Sequence, residues 1–294
     1  MSEKSKSKSI WKGLLVVAVL IVCVVFAVYV GRAADKLVFV NVPSGAGDED
    51  LVKFQPILDY VAATVGIEIE YMTVTDYAAV IQAMQFGYAD MARLGPFQYV
   101  QARILLGAIP IARDIKSNTG EPFYYTLILA SSDSAWAQGT VTAEDLQGHS
   151  IAYVSPTSTS GSLVPKTLLF DLGATDDTFS EIYFAGSHAA AISALVNGMV
   201  DIACTNEFRY LKAIEAGVIA EDDVTIMFKS NPIPTDPVVI RPGLGEEMVA
   251  RLMMAWLTVP AEACEAFKLY GFAPVLDEDY APIRAIATAL DLNP

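Results

Sequence analysis

Basic residues are scarce in this chain: 19 Lys and Arg stand against 34 Asp and Glu, giving a formal net charge of −15. That excludes nucleic-acid binding, since a phosphate backbone needs clustered Lys and Arg, which this chain has only near its N-terminus. Histidine is limited to two residues and cysteine to three. Cys23 falls in an apolar run, and Cys204 and Cys264 do not make a disulfide framework. His149 sits in the surface-type turn Gln147-Gly148-His149-Ser150. No metal-ligating cluster is expected, and no cofactor. No Gly-x-Ser-x-Gly elbow accompanies the other histidine, His188, so an enzyme with a Ser–His pair is not the reading and no catalytic residue is assigned. Internal repeats are absent too.

What is present is apolar. With 294 residues and 53% hydrophobic content, the chain is long enough for two domains, each with its own core. Residues 1–35 form a separate piece. Lys4, Lys6, Lys8 and Lys12 precede an uninterrupted apolar run from Gly13 to Gly31. That run is about long enough to span a bilayer, and the basic N-terminus predicts export of everything after it. Both an uncleaved anchor and a signal peptide cut after Ala33 fit, and Val22 is too bulky for a lipoprotein box at Cys23.

Beyond Lys36 the pattern alternates. Leu37–Val42, Ile67–Tyr71 and Ala89–Ala92 read as strands, with helices from Asp48, Asp76 and beyond Pro96. Phe123–Ala130 reads as one long strand. A second series follows: a short helix at Thr142–Leu146, the strand Ile151–Val154, a helix from Ser158, the strand Ile182–Phe184 and a helix from His188. Then come a strand at Asp201, a helix from about Asn206 and the strand Val224–Phe228. Val238–Ile240 resumes as a strand, and the tail reads as helices at 246–258, 260–270 and 282–292. The expectation is an α/β protein of two lobes, mainly parallel, joined by a double crossover near 123–130 and 234–241. Residues 36–127 with 237–294 would form one lobe and 128–236 the other, with a ligand between them.

One stretch carries chemistry. Pro156-Thr157-Ser158-Thr159-Ser160-Gly161-Ser162 is a hydroxyl cluster between a strand and a helix start. The first helical N–H groups lack intrahelical partners, the helix dipole adds positive charge, and neighbouring hydroxyls donate further hydrogen bonds. Such a turn suits an anion; it equally suits a plain N-cap.

Several runs resemble a known family. Asp76-Tyr77-Ala78 with Gln82, Met84 and Phe86, then Thr157 to Gly161 with Leu163-Val164-Pro165, Gly186-Ser187-His188, Val200-Asp201, and Pro232 to Pro237 occur in order. Together they resemble the PhnD-like substrate-binding proteins of phosphonate, phosphite and phosphate ABC transporters, a branch of the type II periplasmic binding proteins. The resemblance implies a two-lobed venus-flytrap fold acting as a monomer outside the cytoplasm, with an ABC permease as partner. It implies that Ser158, Thr159 and Ser160 hold an oxyanion and that His188 donates to it. Tyr77 would approach from the first lobe, Phe123 or Tyr124 would close over the ligand, and Asp236 would face its other end.

Two departures bear on the ligand. Where aminophosphonate binders of the family carry a second carboxylate, the ungapped position here is Phe208, with Glu207 one residue earlier and about 100° away on a helix. Leu94 stands where the family often has Tyr. Both make the pocket less polar, so a small oxyanion such as phosphite, a small alkylphosphonate or phosphate is expected, and Asp236 predicts discrimination against sulfate. The alternative is an oxyanion sensor feeding a membrane histidine kinase, with Cys204 beside the cleft.

Overall fold

Two β-sheets divide the molecule, and the chain crosses between them twice. The computed structural model describes residues 36–41, 48–74, 76–132, 136 and 141–292. The apolar run expected to insert in a membrane lies outside them. Among the described residues no helix is long and apolar enough to cross a membrane.

The first sheet collects β1 (Lys36–Asn41), β2 (Glu68–Met72), β3 (Met91–Arg93), β4 (Ile109–Lys116), β12 (Pro237–Ile240) and β13 (Leu269–Ala273), in the order β13-β4-β12-β3-β1-β2. Helices α1 (Asp48–Val65), α2 (Tyr77–Gln85) and α3 (Pro96–Leu106) connect its early strands. Only part of this sheet is parallel. β1 pairs with β3 in parallel, whereas β12 runs antiparallel to both β3 and β4, and β13 runs antiparallel to β4. The alternating Ile109-Pro110-Ile111-Ala112 segment makes the strand β4 that the sequence reading passed over.

The second sheet has the order β10-β6-β9-β7-β8, built from β6 (Thr126–Ser131), β7 (Ser150–Tyr153), β8 (Glu181–Phe184), β9 (Ile202–Asn206) and β10 (Val224–Lys229). Helices α4 (Val164–Asp171), α5 (His188–Val196) and α6 (Glu207–Glu215) pack on it. The expected long strand at 123–130 is in fact two. β5 (Phe123–Tyr124) pairs antiparallel with β11 (Ile233–Pro234), and the chain breaks at Tyr125 before β6 enters the second sheet. This small β5/β11 ribbon is the crossover between the sheets.

The tail also differs from expectation. The segment 142–146 is not a helix, residues 143–148 forming turns, and the segment 260–270 is not one helix. After α7 (Glu246–Leu257) and the short α8 (Ala261–Cys264), Lys268 takes a left-handed conformation (φ 59°) that ends the helical turns and lets Leu269–Ala273 join the sheet edge. The last helix is α9 (Ala281–Ala289).

Aromatic packing anchors the first sheet. Trp256 is fully buried, with ring centres of Phe39 and Phe272 at 5.7 and 4.9 Å. Each such pair is worth about 0.5–1.5 kcal/mol beyond area burial. A second cluster crosses between the sheets: Leu163 and Val164, which follow the hydroxyl turn, pack with Phe97 of α3 and Ile283 and Ala287 of α9. Apolar side chains thereby fix the hydroxyl turn against helices of the first sheet.

Candidate ligand-binding site

The hydroxyl cluster forms one wide helical turn, Thr159–Leu163, capped by Ser158 and continuing into α4. Gly161 is required there for close approach. Its carbonyl accepts from Val154 N–H at 2.9 Å, and a Cβ on it would lie 2.3 Å from Val154 Cγ2. The hydroxyl oxygens of Ser158, Thr159 and Ser160 each accept one hydrogen bond. Ser158 Oγ takes Gly161 N–H at 3.2 Å, Thr159 Oγ1 takes Phe97 N–H at 2.8 Å, and Ser160 Oγ takes Asn206 Nδ2 at 3.4 Å. With an accepted bond on each oxygen, the O–H proton is what remains to give, to a nearby phenol oxygen or to an anion.

His188 belongs to the same network. Asn206 caps α6, its Oδ1 accepting Arg209 N–H at 2.9 Å, and this fixes the amide. Its Nδ2 then donates to His188 Nε2 at 3.2 Å, so the ring proton is on Nδ1, which donates to Thr205 Oγ1 at 3.2 Å. Burial, and then the charges of Arg209 and Lys116, push the His188 pKa down to about 3. The neutral ring thus has both nitrogens engaged, one with Asn206 and one with Thr205.

Opposite the turn stand charges that the sequence did not reveal. Arg93 Nε bonds both carboxylate oxygens of Asp114 at 3.0 and 3.2 Å, while its Nη2 reaches Asp114 and Asp236. Lys116 Nζ donates to Asp114 at 2.9 Å and lies 3.6 Å from Asp236. Burial alone would raise the Asp114 carboxyl, but Arg93 and Lys116 overcome it and hold it below the ordinary value. Lys116 also sits 5.8 Å from the ring centre of Tyr124 and 5.7 Å from that of Phe208, and Arg209 flanks Phe208 at 5.7 Å.

These groups enclose a cavity with about 60 Å³ open to the centre of a water molecule. Of the residues singled out from sequence, Tyr77, Tyr124, Ser158, Thr159, Ser160, His188, Phe208 and Asp236 line it. Two do not. Leu94 is fully buried in the core packed around α3, and Phe123 turns to the Tyr125 ring, because strand alternation sends Tyr124 inward and Phe123 away. Glu207 pairs with Lys229 at 2.5 Å, leaving Phe208 to face the cavity. Cys204 lies in the apolar core of the second sheet, where burial pushes its thiol pKa up.

Missed in the sequence were Arg93, Lys116, Asn206 and Arg209, all of which line the cavity. Helix starts dominate the rest of the wall: Tyr77 begins α2, Gly95 caps α3, His188 begins α5 and Asn206 caps α6. Gln98 holds two of these together, accepting Gly95 N–H at 3.1 Å and donating to the Tyr77 carbonyl at 2.7 Å. Tyr77 and Tyr124 sit beside Ser158 and Ser160, and burial raises both phenols, Tyr77 to about 12, so both keep their O–H at neutral pH.

A cavity of helix starts, hydroxyls and buried cations, set between two α/β sheets joined by a paired crossover, defines an anion-binding protein of the periplasmic binding class. The family described as "ABC transporter, phosphonate, periplasmic substrate-binding protein" matches residues 39–280, and the chain belongs to it. Its members are extracytoplasmic solute-binding components that work with a membrane permease, not enzymes. The chain is 25% identical over 276 residues to the phosphate-import protein PhnD of Mycolicibacterium smegmatis, covering 86% of this chain and 85% of that one. It is 26% identical over 244 residues to the phosphonates-binding periplasmic protein of Escherichia coli, covering 80% and 71%. Among solved structures, PhnD1 of Prochlorococcus marinus in complex with methylphosphonate shares the fold at a TM-score of 0.78 and 19% identity, covering 88% of this chain and 99% of that one.

Proposed function

We propose that this protein captures a small tetrahedral phosphorus oxyanion, namely phosphite, a small alkylphosphonate or phosphate, and delivers it to the permease of an ABC importer. The observation that carries this reading is the turn Ser158–Ser160, whose oxygens already accept hydrogen bonds from fixed donors while three cations and one carboxylate line the same cavity. Size agrees. The space open to a water's centre, about 60 Å³, is that of a small-ligand cavity. The relatives, which concern phosphate, phosphonates and methylphosphonate, fall in the same class.

In this reading the hydroxyls of Ser158, Thr159 and Ser160 and the phenols of Tyr77 and Tyr124 donate to the anion, with His188 holding Asn206 in place. Hydrogen bonds to a charged group contribute about 1.5–3 kcal/mol each, so four or five suffice for the ~8 kcal/mol of micromolar binding after ordering losses. Asp236 Oδ2 accepts from Arg93 and lies 3.6 Å from Lys116 Nζ, and its other oxygen would accept from a protonated ligand oxygen. Sulfate has no proton to offer at neutral pH. The two sheets would be the cores of two lobes, 36–127 with 237–294 and 128–236, that close about the β5/β11 ribbon on a monomer. The run 13–31 would carry the protein across the membrane and either anchor it or be cut away.

Calorimetry on the fragment from Asp35 onward tests this against phosphite, methylphosphonate, phosphate and sulfate. The expected order places sulfate last, and sulfate binding as tightly as phosphite at neutral pH overturns the reading. A sensing role would use the same site. It is separated from import by deleting the gene: loss of ligand uptake supports transport, and intact uptake with lost gene induction supports sensing.

A further inference from the structure

A second cavity shares the strand and the helix that carry the hydroxyl turn, with about 210 Å³ open to the centre of a water molecule. Its buried floor is Tyr153 at the end of β7, Leu169 of α4, Ala174 and Phe179. Lys166 and Asp176 stand at its rim, where the ammonium meets the two carboxylate oxygens at 2.8 and 2.7 Å, so each charge answers the other. Leu290 and Leu292, from the tail after α9, complete the wall. Tyr153 is the polar group of the floor. It is only 1% exposed, and its O–H makes no hydrogen bond with any described residue. Burial, and then Cys204 and Asp176, push the phenol pKa up, so the proton stays on at neutral pH. A buried donor left unpaired is costly, and an acceptor placed in the cavity would relieve that penalty.

We infer that this cavity is a second ligand site, taking a small uncharged molecule built on one ring with a hydrogen-bond acceptor for Tyr153. Size, charge and polarity each narrow the class. A cavity of roughly 150 Å³ lined by Leu, Ile and Phe holds benzene, so this one has room for a substituted ring. An anion would meet Asp176 and a cation Lys166, and either would have to displace an ion pair already made. The acceptor answers the Tyr153 O–H. Position couples this site to the first one. Val154, the residue after Tyr153, donates to the Gly161 carbonyl at 2.9 Å, and α4 continues directly from the hydroxyl turn. Leu290 follows α9, whose Ile283 and Ala287 pack with Leu163 and Val164. A molecule touching α4 and the tail together favours their apposition, and with it the arrangement that binds an anion.

Acetophenone is the probe, a ring with a carbonyl acceptor and no charge, and benzoate and benzylamine are its charged counterparts. Titration of the full chain, followed by ligand-observed NMR at neutral pH, is expected to show saturable acetophenone binding. Tyr153→Phe keeps the ring and removes the donor, and should weaken that binding at least about threefold. Ala174→Leu fills the floor and should abolish it, with thermal scans confirming that each variant is folded. Both charged counterparts should bind at least about threefold more weakly than acetophenone. Absence of saturable acetophenone binding to the wild-type chain overturns the inference. So does binding unchanged in both variants, which places the probe elsewhere, or a charged counterpart that binds as tightly. Saturating acetophenone should raise phosphite affinity at least about threefold in calorimetry, and an unchanged affinity overturns the coupling. Acetophenone binding is read without any oxyanion present, so failure of phosphite to bind would count against the proposed function and leave the second site standing.

Discussion

Gly161→Ala is the most exacting perturbation of the site that leaves its polar groups untouched. A Cβ at this position would lie 2.3 Å from Val154 Cγ2, 2.5 Å from Val154 Cβ and 2.9 Å from Ser158 Oγ. All three are far inside van der Waals contact, and Val154 cannot yield, being fully buried beneath the turn. The backbone must therefore move, lengthening the bond from Val154 N–H to the Gly161 carbonyl and the Ser158 cap together. Overpacking of this kind costs about 1–3 kcal/mol, and with two contacts at or below 2.5 Å the upper half applies, roughly 2–3 kcal/mol. For a chain of this size that lowers the melting temperature by about 4–12 °C. Because the displaced atoms carry Ser158 to Ser160, affinity for phosphite should fall at least tenfold in calorimetry at a temperature where the variant is folded. Val154→Ala removes the 2.3 Å neighbour but leaves the Cβ at 2.5 Å, so adding it should restore only part of the loss. A Gly161→Ala variant with wild-type melting temperature and affinity would refute the packing argument.

Thr159→Val keeps the shape of the side chain but removes the acceptor for Phe97 N–H, leaving a buried donor unpaired; stability should drop by about 1–3 kcal/mol in urea titration, with affinity falling as well. Asp114→Asn strips the buried partner from Arg93 and Lys116, and the urea midpoint should report a loss of about 3 kcal/mol or more, with Asp236 left as their remaining carboxylate. His188 is depressed to about 3 in the folded chain against an unfolded value near 6.5. The unfolded state therefore binds the extra proton between those values, so the stability contributed by the neutral ring is complete above about 6.5 and lost as pH falls toward 3. His188→Asn should lose less stability than wild type over that window in parallel thermal scans, and equal losses would count against the assigned neutral ring. Since the net charge is −15, raising the ionic strength with a bulky anion such as gluconate should speed ligand association in stopped-flow measurements; slower association would contradict a repulsive outer field.

The hydroxyl turn was legible because its parts are contiguous: Ser158, Thr159 and Ser160 announce themselves within three positions, between a strand and a helix start. The cations were not. Arg93 meets Asp236 across 143 positions and Asp114 across 21, and Arg93 and Lys116 end two different strands, so no local pattern marks them as a pair. Phe123 and Tyr124 show the limit of a different kind. Both are aromatic and adjacent, and only the pairing of Tyr124 with Ile233 in the β5/β11 ribbon decides which one faces the cavity. The strand Leu269–Ala273 was hidden for a third reason: the preceding Ala261–Phe267 has strong helical composition, and the turn that stops it depends on Lys268 adopting a conformation usually left to glycine.

Capture and closure draw on the same atoms in this molecule. Every member of the hydroxyl triplet on the second sheet meets a group carried by the first sheet or the crossover: Ser158 the phenol of Tyr77, Thr159 the N–H of Phe97, Ser160 the phenol of Tyr124. The next residues, Leu163 and Val164, add apolar contact to α3 and α9. Opening the proposed lobes would break these contacts and the anion site at once, so a ligand held by both sides stabilises the closed form by its differential affinity and by nothing else. Arg93 and Lys116 face the same cavity with their own carboxylates, Asp114 and Asp236, fixing them in place, so the donors an anion meets are set before it arrives. A ligand that takes hydrogen bonds from both sides is therefore what would hold the cavity shut.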